Sequence, residues 1–312
     1  MSTSSRAVVF AYHNVGARCL LTLLNAGVTV PLVVTHEDDP RENIWFQRVA
    51  DIARERGIPV ITPEDVNAPE VLARIAEARP DFFFSFYFRQ MMKAPLLAIP
   101  PLGAFNMHGS LLPKYRGRVP VNWAVIHGEH ETGASLHEMV EKPDAGRLVD
   151  QQAVPILGDD TAFEVFNKVT VAAEICLHRA LPGLLAGTTE FQAQDLAKGS
   201  YFGGRKPEDG RIDWRNMAQS VHNLVRAVAP PYPGAFSDTD LGRLKVLRTL
   251  LVNAPAEVGQ PPALTVEAGQ LTARCGDGRK LRILAAELDD TPLTAERFSA
   301  LVTGKEHNSI LL

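Results

Sequence analysis

Asn106 and His108 stand two residues apart in Asn106-Met107-His108-Gly109-Ser110-Leu111-Leu112-Pro113, and Asp144 follows some thirty-six residues later in Lys142-Pro143-Asp144-Ala145-Gly146. An amide, an imidazole and a carboxylate suit acyl transfer to an amine. The amide can stabilise the oxygen of a tetrahedral intermediate, the imidazole can move protons between incoming and leaving groups, and the carboxylate raises the imidazole's pKa by opposite charge. On an extended chain the spacing puts both side chains on one face, with Met107 pointing into the core. Gly109 lets the backbone turn without a β-carbon, and Pro113 disfavours helix before it, so a loop should follow at once. The residues alone leave a plainer alternative open, with Asn106 and His108 bonded to backbone and Asp144 forming a turn before Gly146.

Other polar positions point less clearly to chemistry. His127-Gly128-Glu129-His130 has no third ligand nearby and reads as a surface turn, and Asp159-Asp160 reads as a helix entrance. His13, His36 and His137 stand alone and read as core-edge or strand-end residues, although His13 sits where a strand end could face a ligand. Lys114-Tyr115-Arg116-Gly117-Arg118 is a basic loop able to hold carboxylates or phosphates, and taken alone it is an exposed charged turn. After Tyr12 the chain reads His13-Asn14-Val15-Gly16-Ala17, without G-x-G-x-x-G, so no NAD is expected. Cys19, Cys176 and Cys275 are scattered, which excludes a cysteine-based metal site and predicts buried free thiols in a reducing cytoplasm.

Positioning such residues needs a sheet. Short apolar runs at 7–12, 29–35, 59–62 and 82–88 read as strands, alternating with helices at 17–26, 43–56 and 71–78. That alternation implies a parallel sheet with helices on both faces, an α/β domain. Gly27 and Gly57 occupy helix C-terminal positions. A strand at 103–107, a short helix at 120–127 and strands at 133–140 and 147–154 follow. A long helix at 161–180 comes next, capped by Asp160 or Thr161 and stopped by Pro182-Gly183. Residues 197–210 are rich in glycine and read as a linker. Beyond it, a helix at 217–228 and short strands at 245–251, 264–267 and 281–284 suggest a small β-barrel. The expected domains are 1–198, a linker at 199–210, and 211–312.

At 312 residues the chain suits two domains. Its 46% hydrophobic and 22% charged residues are ordinary for a soluble protein, and the net charge of −4 argues against a nucleic-acid coat or a basic membrane anchor. Met1 to Arg6 run straight into an apolar stretch too short for a signal peptide, and no apolar run approaches bilayer length. A cytoplasmic protein without membrane insertion is expected.

N-M-H-G-S-L-L-P-K-Y-R-G, E-T-G-A-S-L-H, P-D-A-G, R-I-D-W and V-R-A-V-A-P-P-Y-P-G-A-F together resemble the folate-dependent formyltransferase family, over nearly the whole chain. Its members move a formyl group from 10-formyltetrahydrofolate to an amine. The resemblance implies a doubly wound, mostly parallel Rossmann-like domain and a smaller, OB-like C-terminal β-barrel. It implies His108 as proton donor, Asn106 as transition-state stabiliser and Asp144 as the carboxylate supporting the imidazole. Folate-binding positions are implied at Gln90, Met91, Met92, Arg118, Val140, Glu141, Lys142, Pro143 and Asp144, with no metal.

F-A-Y-H-N-V-G and F-F-F-S-F-Y-F-R resemble the sugar branch, in particular the formyltransferase half of bifunctional polymyxin-resistance enzymes. Those formylate UDP-4-amino-4-deoxy-L-arabinose for lipid A modification. The methionyl-tRNA branch instead opens with G-T-P-x-F and carries a basic loop after its second strand. Here Glu37-Asp38-Asp39-Pro40-Arg41-Glu42 is net acidic and would repel phosphates, and the second domain's charges nearly balance. The expected partners are therefore small molecules, formyl folate and a nucleotide sugar, with tRNA disfavoured and a decarboxylase on a separate polypeptide. Methionyl-tRNA formylation, a silent folate or nucleotide-sugar binder, and a hydrolase releasing formate are the rival readings.

Overall fold

Phe82, Phe83, Phe84 and Phe86 are all buried, as a strand covered on both faces requires. They form the centre of a sheet in a computed structural model that describes residues 5–40, 42–304 and 309–312. Met1–Ser4 and Arg41 of the acidic segment lie outside the described residues. The first elements are β1 (Arg6–Ala11), α1 (His13–Asn25), β2 (Thr29–Val34), α2 (Val49–Glu55) and β3 (Val60–Ile61). α3 (Pro69–Glu77), β4 (Phe82–Phe86), α4 (Ala94–Leu97), β5 (Ala104–His108), β6 (Arg116–Gly117) and α5 (Pro120–Ile126) follow. β7 (Glu131–Glu138), β8 (Leu148–Pro155), α6 (Ala162–Ala186) and β9 (Tyr201–Phe202) complete this part.

The sheet runs β3-β2-β1-β4-β5-β7-β8, parallel from β3 to β5 and antiparallel across β7 and β8. Chain order reverses between β1 and β4, the switch point of a doubly wound sheet. Phe10 packs edge-on to Phe83, with ring centroids 5.0 Å apart. Cys19 and Cys176 are free and buried, and burial pushes the Cys176 thiol up to about 12.

Several elements differ from the sequence-based expectation for identifiable reasons. The helix expected at 43–56 is confined to Val49–Glu55. The preceding residues are committed elsewhere: the Gln47 N–H donates to Asn14 Oδ1, and the Trp45 and Phe46 rings pack on His13. α6 passes through Pro182 and ends at Ala186, so Pro182-Gly183 is not its stop. Gly187, at φ +67, supplies the left-handed residue, with the Thr188 N–H reaching back to the Gly183 carbonyl at 2.9 Å. The N-terminus of α6 is a capping box, in which the Thr161 N–H donates to the Glu164 carboxylate and the Glu164 N–H to Thr161 Oγ1. α6 is also, among the described residues, long and apolar enough to cross a bilayer by length and composition, which corrects the expectation that nothing approaches that length. Val169, Ala173, Cys176 and Leu177 are buried, as in a core helix.

The linker expected at 199–210 contains β9 and a short 3-10 turn at Pro207–Gly210. By compactness the chain divides into Met1–Pro120, Glu131–Pro155 and Asn167–Gly203 on one hand, and Val121–His130, Ile156–Phe166 and Gly204–Leu312 on the other. In the second unit, α7 (Ala218–Val228) precedes β10 (Ala235–Thr239), β11 (Gly242–Leu251), β12 (Ala263–Glu267), β13 (Gln270–Arg274) and β14 (Lys280–Leu288). β15 (Thr291–Pro292), α8 (Ala295–Val302) and β16 (Ile310–Leu311) follow. The strands form a nearly closed antiparallel barrel ordered β10-β11-β14-β13-β12-β16. Its core holds Val221, Val225, Leu244, Val246, Leu264, Leu281 and Phe298. Two-residue alternation along β11 and β14 places Leu244, Val246 and Leu281 inside.

Candidate active site

β5 ends at the carboxyl edge of the sheet, paired with β4 on one side and β7 on the other. Met107 is buried, so Asn106 and His108 share the opposite face, as the two-residue spacing requires. The need for glycine at 109 has a different cause from a turn. Its φ is not left-handed, and a β-carbon there would collide with the Tyr87 hydroxyl.

Asp144 enters from the turn between β7 and β8, in the left-handed region at φ +51. Its Oδ1 lies 3.5 Å from His108 Nδ1 and 3.4 Å from His137 Nε2, while Oδ2 accepts the Gly117 N–H at 2.8 Å. The structure thus brings Asp144 and His108 together, with Asn106 joined to them through His137. Asn106 Nδ2 is 3.2 Å from His137 Nε2, and the two residues are direct cross-strand partners.

The remaining ring nitrogens face carbonyls, which only accept. His108 Nε2 donates to the Tyr115 carbonyl at 2.7 Å, and His137 Nδ1 to that of Glu138 at 2.7 Å. Each ring therefore lies between a backbone acceptor and the same carboxylate. In a neutral His137, Nε2 accepts from Asn106; with a second proton it donates to Asp144. Burial raises the Asp144 pKa more than any other single influence does. The charge of His108, the hydrogen bond and charge of His137 and the Gly117 N–H together overcome it, and hold the carboxyl well below its usual range. A full anion is thus fixed beside two imidazoles.

His137 is the residue that sequence reasoning set aside. Its signal lay in E-T-G-A-S-L-H, where a histidine stands next to the end of a strand, but only the β5–β7 register reveals its partner. Gly117 and Gln194 are further supports. Gln194 Nε2 donates to the carbonyls of Asp144 at 3.0 Å and Gly146 at 2.6 Å, bracing the turn.

The positions that the resemblance implies for folate lie in differing surroundings. Gln90 is engaged within the protein, its Oε1 accepting the Val66 N–H at 2.8 Å and its Nε2 donating to the Pro63 carbonyl at 3.0 Å. Met92 is buried, whereas Met91, Arg118, Val140, Glu141 and Lys142 are exposed and Pro143 is half-buried. His13 and His36 are neutral packing residues near pH 7: burial, with the charge of Arg89, depresses them to about 3 and about 4. The acidic segment also differs from its expectation. Asp38 pairs with Arg48 at 2.6 Å and Glu42 with Arg89 at 2.8 Å, so much of its charge is compensated locally. No cluster of histidine, cysteine or carboxylate side chains suited to a metal occurs among the described residues.

An imidazole beside a largely buried carboxylate, with an amide on the same strand face, at the carboxyl edge of a doubly wound sheet, is an arrangement suited to group transfer of the acyl type. Residues 8–181 match the family described as Formyl transferase, and residues 205–300 match Formyl transferase, C-terminal domain. The chain belongs to the formyl transferase family and is an enzyme of that class.

Solved structures share the fold. WlaRD, a sugar 3N-formyl transferase seen with dTDP and 5-N-formyl-THF, aligns with a TM-score of 0.69 at 19% identity, over 90% of this chain and 98% of that one. An N-formyltransferase from Helicobacter canadensis, in complex with folinic acid and dTDP-3-aminofucose, aligns at 0.67 and 21% identity, over 90% and 99%. HypX from Aquifex aeolicus, in complex with tetrahydrofolic acid, aligns at 0.63 and 17% identity, over 95% of this chain and 47% of that one.

Proposed function

We propose that the chain transfers the formyl group of 10-formyltetrahydrofolate to the 4-amino group of a nucleotide-linked amino sugar in the cytoplasm. UDP-4-amino-4-deoxy-L-arabinose is the acceptor that the motifs at 10–16 and 82–89 favour. The observation that carries the reading is the Asp144 carboxylate, fixed by the Gly117 N–H and facing His108 on the face that also bears Asn106. The near full-length likeness to two sugar formyltransferase structures supports a sugar acceptor over tRNA. The acidic segment supports it less than its composition suggests, because Asp38 and Glu42 are ion-paired.

In the proposed reaction the neutral sugar amine attacks the formyl carbon on N10, and charge develops on the formyl oxygen. Asn106 and protonated His108 stabilise that oxygen. As the C–N10 bond breaks, His108 delivers a proton to the leaving N10 and the imidazole regains the proton shed by the amine nitrogen, while Asp144 supports the imidazolium. The proton on Nε2, directed at the Tyr115 carbonyl in this structure, is the one transferred, so the ring exchanges that carbonyl for substrate.

The test is a transfer assay with 10-formyltetrahydrofolate, offering UDP-4-amino-4-deoxy-L-arabinose, a dTDP-linked 3-amino sugar and methionyl-tRNA in parallel. Product with the UDP sugar alone supports the full reading. Product with the dTDP sugar alone keeps the sugar class and removes the arabinose. Product with tRNA alone, or formate release without any acceptor, overturns the sugar assignment.

A further inference from the structure

The basic loop that reads in sequence as three similar cations is not uniform in the structure. Lys114 and Arg118 are exposed, whereas Arg116 is only 8% exposed. Its Nε is buried without a hydrogen-bond partner, and no ion pair or aromatic ring engages its guanidinium among the described residues. The backbone that carries it is tightly fixed. The Arg116 N–H donates to the Ser200 carbonyl at 3.0 Å, the Arg118 N–H to the Phe202 carbonyl at 2.9 Å and the Tyr115 N–H to Ser200 Oγ at 2.8 Å.

This short strand also touches both sides of the acid–base pair. The Tyr115 carbonyl accepts the hydrogen bond of His108 Nε2, and the Gly117 N–H donates to Asp144. Arg116 therefore lies in the chain between the two backbone groups that grip the reacting side chains. An arginine side chain that is nine-tenths buried, with its Nε unpartnered and no counter-charge beside it, is completed when an anion meets its guanidinium. Its planar fork matches a carboxylate or a phosphate.

We propose that Arg116 binds an anionic group of a substrate at this site, separately from the exposed Arg118. The proposal rests on the reading that the site takes formyl folate and a nucleotide sugar, which offer glutamate carboxylates and a diphosphate respectively.

The test is calorimetric titration of the full chain and its Arg116→Gln variant at low ionic strength. The probes are UDP, uridine, folinic acid and the same pterin compound lacking its glutamate. The proposal expects Arg116→Gln to weaken one anionic probe at least tenfold while uridine and the glutamate-free compound bind as to wild type. Loss confined to UDP identifies the diphosphate as the anion, and loss confined to folinic acid identifies the carboxylate. Should Arg116→Gln not fold, Arg116→Lys decides alone: a loss of threefold or more for one anionic probe only supports the proposal. Unchanged affinity for both anionic probes in a folded variant overturns it, as does a wild-type chain that binds neither. These are binding readouts, so an inert sugar in the transfer assay would sink the proposed function and leave this result standing.

Discussion

The backbone N–H of Gly117 holds Oδ2 of Asp144 at 2.8 Å, and Gly117 can do so only as glycine. Its φ is +96, and a β-carbon would collide with the Phe202 carbonyl and lie 3.1 Å from the Tyr201 ring. Gly117→Ala should push β6 away from Asp144. A hydrogen bond to a charged group contributes about 1.5–3 kcal/mol, so kcat should fall about tenfold or more. Steady-state kinetics on a variant with near wild-type Tm checks this, and a kcat within twofold of wild type would show the contact to be dispensable.

Asp144 gives a pH prediction with a definite sign. Its carboxyl is depressed in the folded chain, so between that value and the ordinary one near ~3.9 the unfolded state binds the extra proton. The stabilisation is complete above the unfolded value and is lost as pH falls through the folded one. Wild type should therefore lose Tm more steeply than Asp144→Asn below about pH 4. Parallel Tm profiles for the two proteins between pH 3 and 6 would remove the linkage.

His137 Nε2 lies 3.2 Å from Asn106 Nδ2 and 3.4 Å from Asp144 Oδ1, so its expected role is to position those two groups. His137→Phe removes both contacts while keeping a planar ring, and kcat should fall about tenfold with little change in folate affinity. The loss should shrink in an Asp144→Asn background, because the two share one network. Full additivity in that double-mutant cycle would separate His137 from the carboxylate.

Gln194→Glu reverses the polarity of the brace on the Asp144 turn at nearly constant volume. An acceptor would then face the Asp144 and Gly146 carbonyls, now 3.0 and 2.6 Å from Nε2. A kcat loss of about tenfold is expected, since an unmatched buried polar contact costs roughly 1–3 kcal/mol. Crystals of the variant should show the turn displaced, and an unmoved turn with undiminished kcat would contradict the bracing role.

The parts legible in sequence were those set by local rules. Two-residue alternation fixes the shared face of Asn106 and His108, and left-handed glycines mark the ends of α1 and α2 at Gly27 and Gly57. What sequence could not show depends on distant partners. His137 gains meaning only from pairing with Asn106 across two strands, and Arg116 differs from Arg118 only through burial. Residues 43–48 lost their expected helix to packing of Trp45 and Phe46 on His13, and α6 outran Pro182 to Ala186. In each case tertiary contacts outweighed local preference.

The most direct test of the account is the single-turnover rate of formyl transfer by His108→Ala, with folate affinity and Tm measured on the same preparation. General acid–base catalysis is worth about 10²–10⁴ in rate, so transfer should fall by about a thousandfold while folate binds within about threefold of wild type. A folded variant that keeps more than about a third of the wild-type rate would place the proton transfer elsewhere, and would contradict the role given to His108.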